Sequence, residues 1–362
     1  MMKKKERIKN RKKRMKTTMR TTVALFAAAM LAFSCTDDAT TGNEPLSPAG
    51  PVSFIVENDT RSAGELNTGN IASFSVYAHY TGTKAFATIT GSDEGWTPNF
   101  MSGQAVTKTG GVWKYSPVKY WPAEPDEKVS FFALSPAPTG SNGVTAPAGD
   151  YTGGYPRIDF VPDVNPEKQL DFCVASSVDC TATQGAVPFA FRHTLTKITF
   201  SVKDISAKAD LSLGIDRIIL RNIGASGTLT FDATSAGFTW NITPGTVADY
   251  TLEQYSGHGS LPNLTMTNTM TNWSTPAGTL LLLPQTLGEN ATIETSLWVI
   301  YNGKRLETEI ITSASIGGMT WPANKEVNYG LKYDIGSLTE MTIDPKITDW
   351  TNAKTNTGFT IY

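Results

Sequence analysis

The sequence predicts an all-β protein in which two antiparallel β-sandwich domains follow one another behind an export signal. Val, Thr, Ser, Gly and aromatic residues are abundant, while long runs of Leu, Glu, Lys and Ala are missing. Such a composition favours strands and turns over helices. Short apolar segments recur along the chain with turn residues between them, and this spacing is typical of β-sandwiches.

Residues 1–34 have the order of a secretion signal. Eleven of the 31 Lys and Arg residues lie in the first twenty positions, and an apolar run from Val23 to Phe33 follows them. The run is too short to span a bilayer, which takes about 20 residues. It ends at the small residue Ser34, as a cleavable signal peptide does.

Cys35 stands where the lipidated cysteine of an exported lipoprotein belongs. Several acyl chains on this residue would anchor the protein stably, whereas one would not. Ala32 and Phe33 depart from a strict lipobox, so plain secretion with a free thiol stays as the alternative. The acidic pair at 37–38 resembles the surface-export signal of Bacteroidales lipoproteins. We therefore expect the protein on the outer face of the outer membrane.

The charge balance argues against nucleic acid as a partner. Removal of residues 1–34 would leave 20 basic and 32 acidic residues, a net charge of −12. Nucleic-acid binding requires clustered Lys and Arg, whereas a negative surface favours solubility among other molecules at a cell surface.

Residues 35–61 are predicted to contain a tether and a first strand. Positions 36–50 are rich in Thr, Asn, Pro and Gly, which suits a flexible spacer. In the strand at 52–57, the side chains of Val52, Phe54 and Val56 share one face by the period-two rule. A polar stretch follows at 58–64 and would be open to a protease.

Residues 62–186 are predicted to form the first sandwich and residues 187–362 the second. Strands are expected at 71–80, 112–120 and 129–134, followed by a long loop at 135–154. The segment 188–203 changes the parity of its apolar residues, so we expect a bulge or bend near Thr196 and Lys197. Further strands are predicted at 217–222, 228–231, 237–242, 279–283, 292–301, 305–312, 326–334 and 341–347.

The chain carries no recognisable catalytic, cofactor or metal motif. Each of the three histidines, His79, His193 and His258, stands without a carboxylate or cysteine at ligand spacing in the sequence. The acidic stretches 92–95 and 162–165 lack the spacing of calcium loops, so solvated turns are the favoured interpretation. We expect a protein that is not an enzyme and that needs no cofactor.

Two cysteines and several tryptophans leave alternatives open. Cys173 and Cys180 could pair in an exported protein, or both could be small buried thiols in strands. Exposed rings of Trp96, Trp113 or Trp273 could stack on a glycan, although sandwich cores use such residues routinely.

Several stretches resemble the fimbrillin family of Bacteroidales. The resemblance is carried by the segments 54–56 with Thr60-Arg61, 73–78, 113–122 with 128–133, and 189–198. It covers most of the chain, although the C-terminal half resembles the family more weakly. The family implies two tandem transthyretin-like sandwiches in a surface lipoprotein that becomes a structural or adhesive fimbrial subunit.

The resemblance also implies a maturation step. A trypsin-like or Arg-specific protease would cut after Arg61, so that Ser62 becomes the new N-terminus and the lipid leaves together with the first strand. Arg157 and Arg192 are other arginines, but Arg192 lies within a predicted strand and suits a protease poorly. Loss of a strand uncovers apolar side chains and unpaired main-chain groups, which bind an added strand readily.

The end of the chain offers a candidate donor strand. Phe359 and Ile361 share one face and follow a polar stretch at 351–357 that could act as a hinge. The alternative is that this tail completes its own sandwich. The expected partners are therefore other fimbrial subunits, the maturation protease, the outer membrane through the lipid, and host or bacterial glycans or proteins. A surface glycan-binding lipoprotein that never polymerises is the rival hypothesis.

Overall fold

The computed structural model describes residues 50–57, 71–145, 155–206, 210–232, 237–253, 266–273, 279–337 and 341–350. These ranges lie in one compact unit, residues 47–362. In the described part the regular structure consists of strands and short 3₁₀ turns, so the predicted all-β class is confirmed. None of these residues forms a helix that is long and apolar enough to cross a bilayer.

The first ten strands run through the N-terminal half of the chain. They are β1 (Phe54–Val56), β2 (Ser73–Gly82), β3 (Met101–Thr109), β4 (Val112–Lys114), β5 (Lys128–Ser135), β6 (Val144–Thr145), β7 (Arg157–Phe160), β8 (Cys173–Cys180), β9 (Val187–Phe189) and β10 (Arg192–His193). Short 3₁₀ helices in this half are Phe86–Thr88, Pro166–Lys168 and Ala182–Gln184.

The remaining strands belong to the C-terminal half. They are β11 (Thr196–Asp204), β12 (Leu211–Gly224), β13 (Gly227–Phe231), β14 (Phe238–Ile242), β15 (Val247–Glu253), β16 (Thr271–Trp273), β17 (Leu280–Leu282), β18 (Gln285–Thr286), β19 (Thr292–Tyr301), β20 (Lys304–Ser315), β21 (Thr320–Trp321), β22 (Lys325–Tyr333) and β23 (Met341–Asp349). A 3₁₀ helix, Ile335–Ser337, lies between the last two strands.

A six-stranded antiparallel sheet with the order β10-β8-β5-β2-β3-β4 forms the main layer of the N-terminal half. Side chains on both faces of this sheet are buried, as along β5, where Val129 to Ser135 are all buried. Phe74 and Phe131 on one face belong to a cluster that we call the N-terminal core. The aromatic members of this cluster are Phe54, Phe74, Trp121, Phe131, Phe189 and Phe191.

The opposite face of that sheet contributes to a second cluster, the middle core. Phe132, the neighbour of Phe131 on β5, packs there because successive side chains of a strand point to opposite faces. The aromatic members of the middle core are Phe86, Phe132, Tyr155, Phe160, Phe172, Phe231 and Trp350. Strands β7 and β13 pair antiparallel beneath it, so this cluster joins the two halves of the chain.

The C-terminal half contains two further sheets, with the orders β16-β11-β22-β23 and β15-β12-β19-β20. Their inward side chains form the C-terminal core, whose aromatic members are Phe200, Tyr250, Trp273, Trp321, Tyr329 and Tyr333. Strand β11 runs parallel to β22 and antiparallel to β16 and β17.

The division into two sandwiches near residue 187 stays a prediction. The N-terminal core uses residues up to Phe191 and the C-terminal core begins at Ile198, which is the pattern expected for a boundary in this region. The middle core and the pairing of β7 with β13 nevertheless cross it.

The segment 188–203 is interrupted by a bend at Leu195, close to the bulge or bend expected near Thr196 and Lys197. It breaks into β9, β10 and β11, which belong to three different sheets. The parity of the buried residues changes at Leu195, between β10 and β11, and Leu195 itself packs in the middle core. A change of sheet, rather than a bulge within one strand, therefore lets both sets of apolar residues be buried.

Candidate functional site

The segment 50–57, which contains β1, is hydrogen-bonded through its main chain to two different parts of the chain. On one side it pairs in parallel with β9, where the N–H of Val187 donates to the carbonyl of Ser53 (2.8 Å) and the N–H of Glu57 donates to the carbonyl of Phe189 (2.9 Å). All three residues of β1 are therefore paired with β9.

Residues 50–52, which precede β1, pair with the chain that follows β4. The N–H of Val52 donates to the carbonyl of Lys119 (2.9 Å), and the N–H of Trp121 donates to the carbonyl of Gly50 (3.2 Å). The Tyr115 hydroxyl donates to the carbonyl of Val52 (2.8 Å). This wall of the groove is the segment 113–122 that carries much of the family resemblance.

The Phe54 side chain occupies an aromatic pocket beneath the strand. Its ring lies 5.4 Å from the ring of Phe189 in a stacked arrangement and 5.4 Å from that of Tyr115. The rings of Phe74 and Phe131 meet it edge-on, with centroids 6.1 and 5.9 Å away. Edge and stacked contacts of this kind add to the free energy gained by burying the ring.

Burial along β1 alternates with the strand period. Val52 and Phe54 are 2% and 6% exposed and Val56 is partly buried, whereas Ile55 is 49% exposed. The inward residues thus fill an apolar groove while the outward ones face solvent. This groove, bounded by β9 and by residues 115–121, is the candidate functional site.

Other predicted site residues lie outside the part of the chain that the structure describes. They are the lipidation residue Cys35, the cleavage pair Arg61 and Ser62, and the donor residues Phe359 and Ile361. The histidine His258 lies outside it as well.

The structure does not support a disulfide between Cys173 and Cys180. Both thiols are free and buried, and they occupy the two ends of one strand, β8. A strand rises about 3.3 Å per residue, so the two residues are separated by roughly 20 Å, far beyond the reach of a disulfide. Burial raises the pKa of the Cys180 thiol to about 12.

His193 is a buried, hydrogen-bonded residue of β10, and the fold brings it close to a carboxylate and a thiol that are not at ligand spacing in the sequence. The pairing of β10 with β8 places His193 opposite Cys173, and Asp171 lies two residues before Cys173. The imidazole Nδ1 is 2.7 Å from Asp171 Oδ1 and 3.7 Å from Cys173 Sγ. Burial and the Asp171 carboxylate raise the pKa of the Cys173 thiol well above its usual range.

The ring of Trp350 covers His193. The two rings are stacked at 4.0 Å with an interplanar angle of 6°. Trp350 follows β23 directly, so the contact fastens the end of the last described strand to the N-terminal sheet. Sequence reasoning missed this arrangement because its members come from three separate segments.

His79 is a buried core residue. Its ring packs edge-on against those of Phe86 and Phe132, with centroids 5.0 and 5.6 Å away, and its Nδ1 is 2.7 Å from the carbonyl oxygen of Gly95. Burial lowers the pKa of His79 to about 4, an effect that this hydrogen bond partly opposes. The ring therefore stays neutral at physiological pH.

The acidic stretches make local turns. The Asp93 carboxylate accepts hydrogen bonds from the Lys84 ammonium and from the N–H and hydroxyl of Thr90. Asp163 accepts the N–H of Asn165 at 2.8 Å. These contacts are those expected of solvated turns, the interpretation that the sequence favours.

The three candidate glycan-stacking tryptophans pack in or beside the cores. Trp273 is 4% exposed within the C-terminal core. Trp96 and Trp113 are partly buried against the middle and N-terminal cores, and the Lys108 ammonium lies 5.4 Å above the Trp113 ring. Trp273 is therefore a core residue, whereas Trp96 and Trp113 are partly exposed beside their cores.

The chain is similar in sequence and in fold to fimbrial proteins. A segment of 158 residues is 30% identical to the fimbrium subunit Fim1C of Phocaeicola vulgatus; it covers 40% of this chain and 39% of that relative's length. The fold is similar to the crystal structure of a fimbrial protein from Bacteroides vulgatus, with a TM-score of 0.68 and 18% identity over 83% of this chain and 99% of that one.

The Fimbrillin-like family matches residues 60–350, which is most of the chain. The family and these relatives are structural proteins of fimbriae rather than enzymes, in agreement with the absence of a catalytic motif from the sequence. On the length of this match and the shared fold, the chain belongs to the fimbrillin-like family.

Proposed function

We propose that the protein is a structural or adhesive fimbrial subunit of the cell surface that assembles by β-strand exchange. The observation that carries the proposal is the segment 50–57, which contains β1. It fills an apolar groove, and its main chain is hydrogen-bonded to β9 on one side and, through residues 50–52, to residues 119–121 on the other. Membership of the fimbrillin-like family supports the fimbrial role.

The proposed maturation begins at the outer membrane. Lipid on Cys35 anchors the precursor there, and a trypsin-like or Arg-specific protease cuts between Arg61 and Ser62. The cut removes residues 35–61, which include the whole of β1. The support for this step is the order of the sequence, because a signal, a cysteine, a tether, a strand and an arginine follow one another.

Departure of β1 would leave a binding site for another strand. It would uncover Phe74, Phe131 and Phe189, which contact Phe54 in the closed groove. It would also free the N–H of Val187 and the carbonyl of Lys119 from their partners. Burial of one large apolar side chain contributes roughly 1.5–3 kcal/mol, so an incoming strand would regain several kcal/mol.

The donor is proposed to be the C-terminal strand of a neighbouring subunit. Phe359 and Ile361 are spaced by two residues, as Phe54 and Val56 are, so they would enter successive pockets on one face. Other fimbrial subunits are thus the partners, and the fimbrium is the final location. The alternative, in which this tail completes its own sandwich, predicts no exchange between subunits.

The cleavage step is tested with Arg61→Ala in the producing cell. We expect the unaltered protein to begin at Ser62, to leave the membrane and to form heat-stable oligomers, while Arg61→Ala keeps its lipid and stays unassembled. Arg192→Ala is the matched control, because Arg192 is exposed but lies within β10. Arg61→Lys separates the proteases, since a trypsin-like enzyme would still cut and an Arg-specific enzyme would not.

Normal release and assembly of Arg61→Ala would overturn the cleavage assignment. Retention of the lipid by the unaltered protein, together with quenching of its tryptophan fluorescence by a sugar, would favour the rival glycan-binding lipoprotein.

The groove is tested separately with a peptide of residues 50–57. We expect this peptide to raise the melting temperature of the protein cut after Arg61, because it restores β1. The same peptide with Phe54→Asp should have no effect, since a carboxylate would enter the aromatic pocket unpaired. Equal effects of the two peptides would contradict a specific groove.

A further inference from the structure

Asp171, Cys173 and His193 form a compact cluster at one edge of the N-terminal sheet, which we call the Asp-Cys-His cluster. Cys173 and His193 face one another across the β8–β10 pair. Asp171 lies two residues before Cys173, which puts both side chains on the same side of the extended chain. One potential ligand atom from each residue lies within 4.8 Å of the other two.

The spacing of these atoms fits a small tetrahedral cation. Zinc binds sulfur at about 2.3 Å and nitrogen or oxygen at about 2.0–2.2 Å, so ligand atoms in a tetrahedral site lie roughly 3.3–3.7 Å apart. Cys173 Sγ is 3.7 Å from His193 Nδ1 and 3.5 Å from Asp171 Oδ1. The separation of Nδ1 and Oδ1 is 2.7 Å, so these two atoms would have to part by about half an ångström.

The donor types select the class of cation. A thiolate and an imidazole suit zinc and similar transition metals, whereas calcium and magnesium require oxygen ligands. Three protein ligands leave a fourth position for water or another small ligand.

We propose that Asp171, Cys173 and His193 bind a thiophilic divalent cation of the zinc class. Binding displaces the hydrogen bond between the imidazole and the carboxylate. The thiol proton leaves to solvent as the sulfur–metal bond forms, and the neutral imidazole coordinates through Nδ1 with its proton on Nε2.

The surroundings hold the ligands in place. Cys173 and His193 are 0% and 1% exposed, and Trp350 stacks on the imidazole at 4.0 Å. The Asp171 side chain is the most accessible of the three, at 9%, so it is the point at which a cation would arrive. A bound cation would join β10, an edge strand, to β8, and would therefore stabilise the fold by mass action.

Cobalt(II) is a suitable probe because it takes the place of zinc and absorbs light. The full chain with Cys35→Ser serves as the parent, so that the N-terminal thiol cannot contribute. We expect one equivalent of cobalt to produce a thiolate-to-metal charge-transfer band in the near ultraviolet and intense visible bands typical of tetrahedral coordination. Zinc should abolish both and raise the melting temperature of the protein.

Cys173→Ser and Cys180→Ser form a matched pair, since both thiols are buried in β8 but Cys180 lies outside the cluster. We expect Cys180→Ser to keep the bands and Cys173→Ser to lose them. Asp171→Asn should weaken cobalt binding at least tenfold, and circular dichroism verifies that each variant is folded. Charge-transfer bands that persist in Cys173→Ser, or no such band in the folded parent, would overturn the proposal and leave a hydrogen-bonded cluster.

Discussion

The ring of Phe54 stacks on the ring of Phe189, with centroids 5.4 Å apart and an interplanar angle of 16°. The two residues belong to parallel strands, in which Phe54 lies opposite Val187 and Val56 opposite Phe189. The ring contact therefore runs diagonally across the pair, and it locks the position of β1 along β9. A strand displaced by one residue would present Ser53 or Ile55 to the pocket.

Phe54→Ala is expected to destabilise the uncut protein by about 3–5 kcal/mol, because it removes a buried ring and leaves a cavity. Urea denaturation measures the change in the free energy of unfolding. Ile55→Ala is the matched control, since that neighbouring side chain is 49% exposed and should change stability by no more than about 0.5 kcal/mol. Similar losses from both substitutions would show that β1 does not depend on the pocket.

Tyr115→Phe is expected to cost the uncut protein about 1 kcal/mol, since the Tyr115 hydroxyl donates a 2.8 Å hydrogen bond to the carbonyl of Val52. The loss should be smaller in protein cut after Arg61, where Val52 is absent. Comparison of melting curves of cut and uncut protein measures the difference. Tyr120→Phe, at a residue 59% exposed, controls for loss of a hydroxyl; equal losses from Tyr115→Phe before and after the cut would contradict a contact with the removed strand.

The faces of the strands could be predicted from the sequence, whereas their partners could not. Alternation of apolar residues depends on neighbours in the chain, and it identified the buried side of β1 and the exact span of β19, Thr292–Tyr301. Pairing depends on contacts far apart in the chain. Phe54 lies opposite Val187, and no local pattern indicates which of many apolar strands will lie beside it.

The Asp-Cys-His cluster could not be predicted for the same reason, since its residues are brought together by strand pairing and not by spacing in the sequence. A search for metal ligands in a sequence looks for short fixed spacings, but His193 lies 22 residues after Asp171. The turn at Ala182–Gln184 and strand β9 separate β8 from β10, so only the pairing of β8 with β10 brings the three side chains together. Composition and periodicity do not contain that pairing, so they do not indicate the cluster.

His79 is expected to make the protein less stable in acid. Its pKa is lowered from 6.5 to about 4 in the folded state, so the unfolded state binds the proton more tightly. The contribution of neutral His79 to the free energy of unfolding is fully present above pH 6.5 and is lost as the pH falls towards 4. About 2 kcal/mol of it is lost between pH 8 and pH 5. His79→Gln lacks this titration, so its unfolding free energy should fall less over the same interval in urea denaturation. Parallel pH profiles for the two proteins would contradict a buried neutral His79.

Gly95 lies against the end of β2, where a side chain would not fit. Its φ is +81°, and a Cβ at this position would lie 2.3 Å from the carbonyl oxygen of Tyr80 and 2.9 Å from the Thr81 side chain. Gly111 has the same φ of +81°, but a Cβ there would meet nothing within 4 Å. Alanine at Gly111 would therefore suffer backbone strain alone, whereas alanine at Gly95 would suffer both strain and a steric clash.

Gly111→Ala is expected to cost about 1–2 kcal/mol, the strain of a left-handed alanine. Gly95→Ala should cost at least about 3 kcal/mol, because overpacking adds to the same strain and the shifted Gly95 carbonyl would loosen its 2.7 Å hydrogen bond to His79. Urea denaturation of the two variants gives both values. Equal losses would mean that the loop can move away from β2 freely.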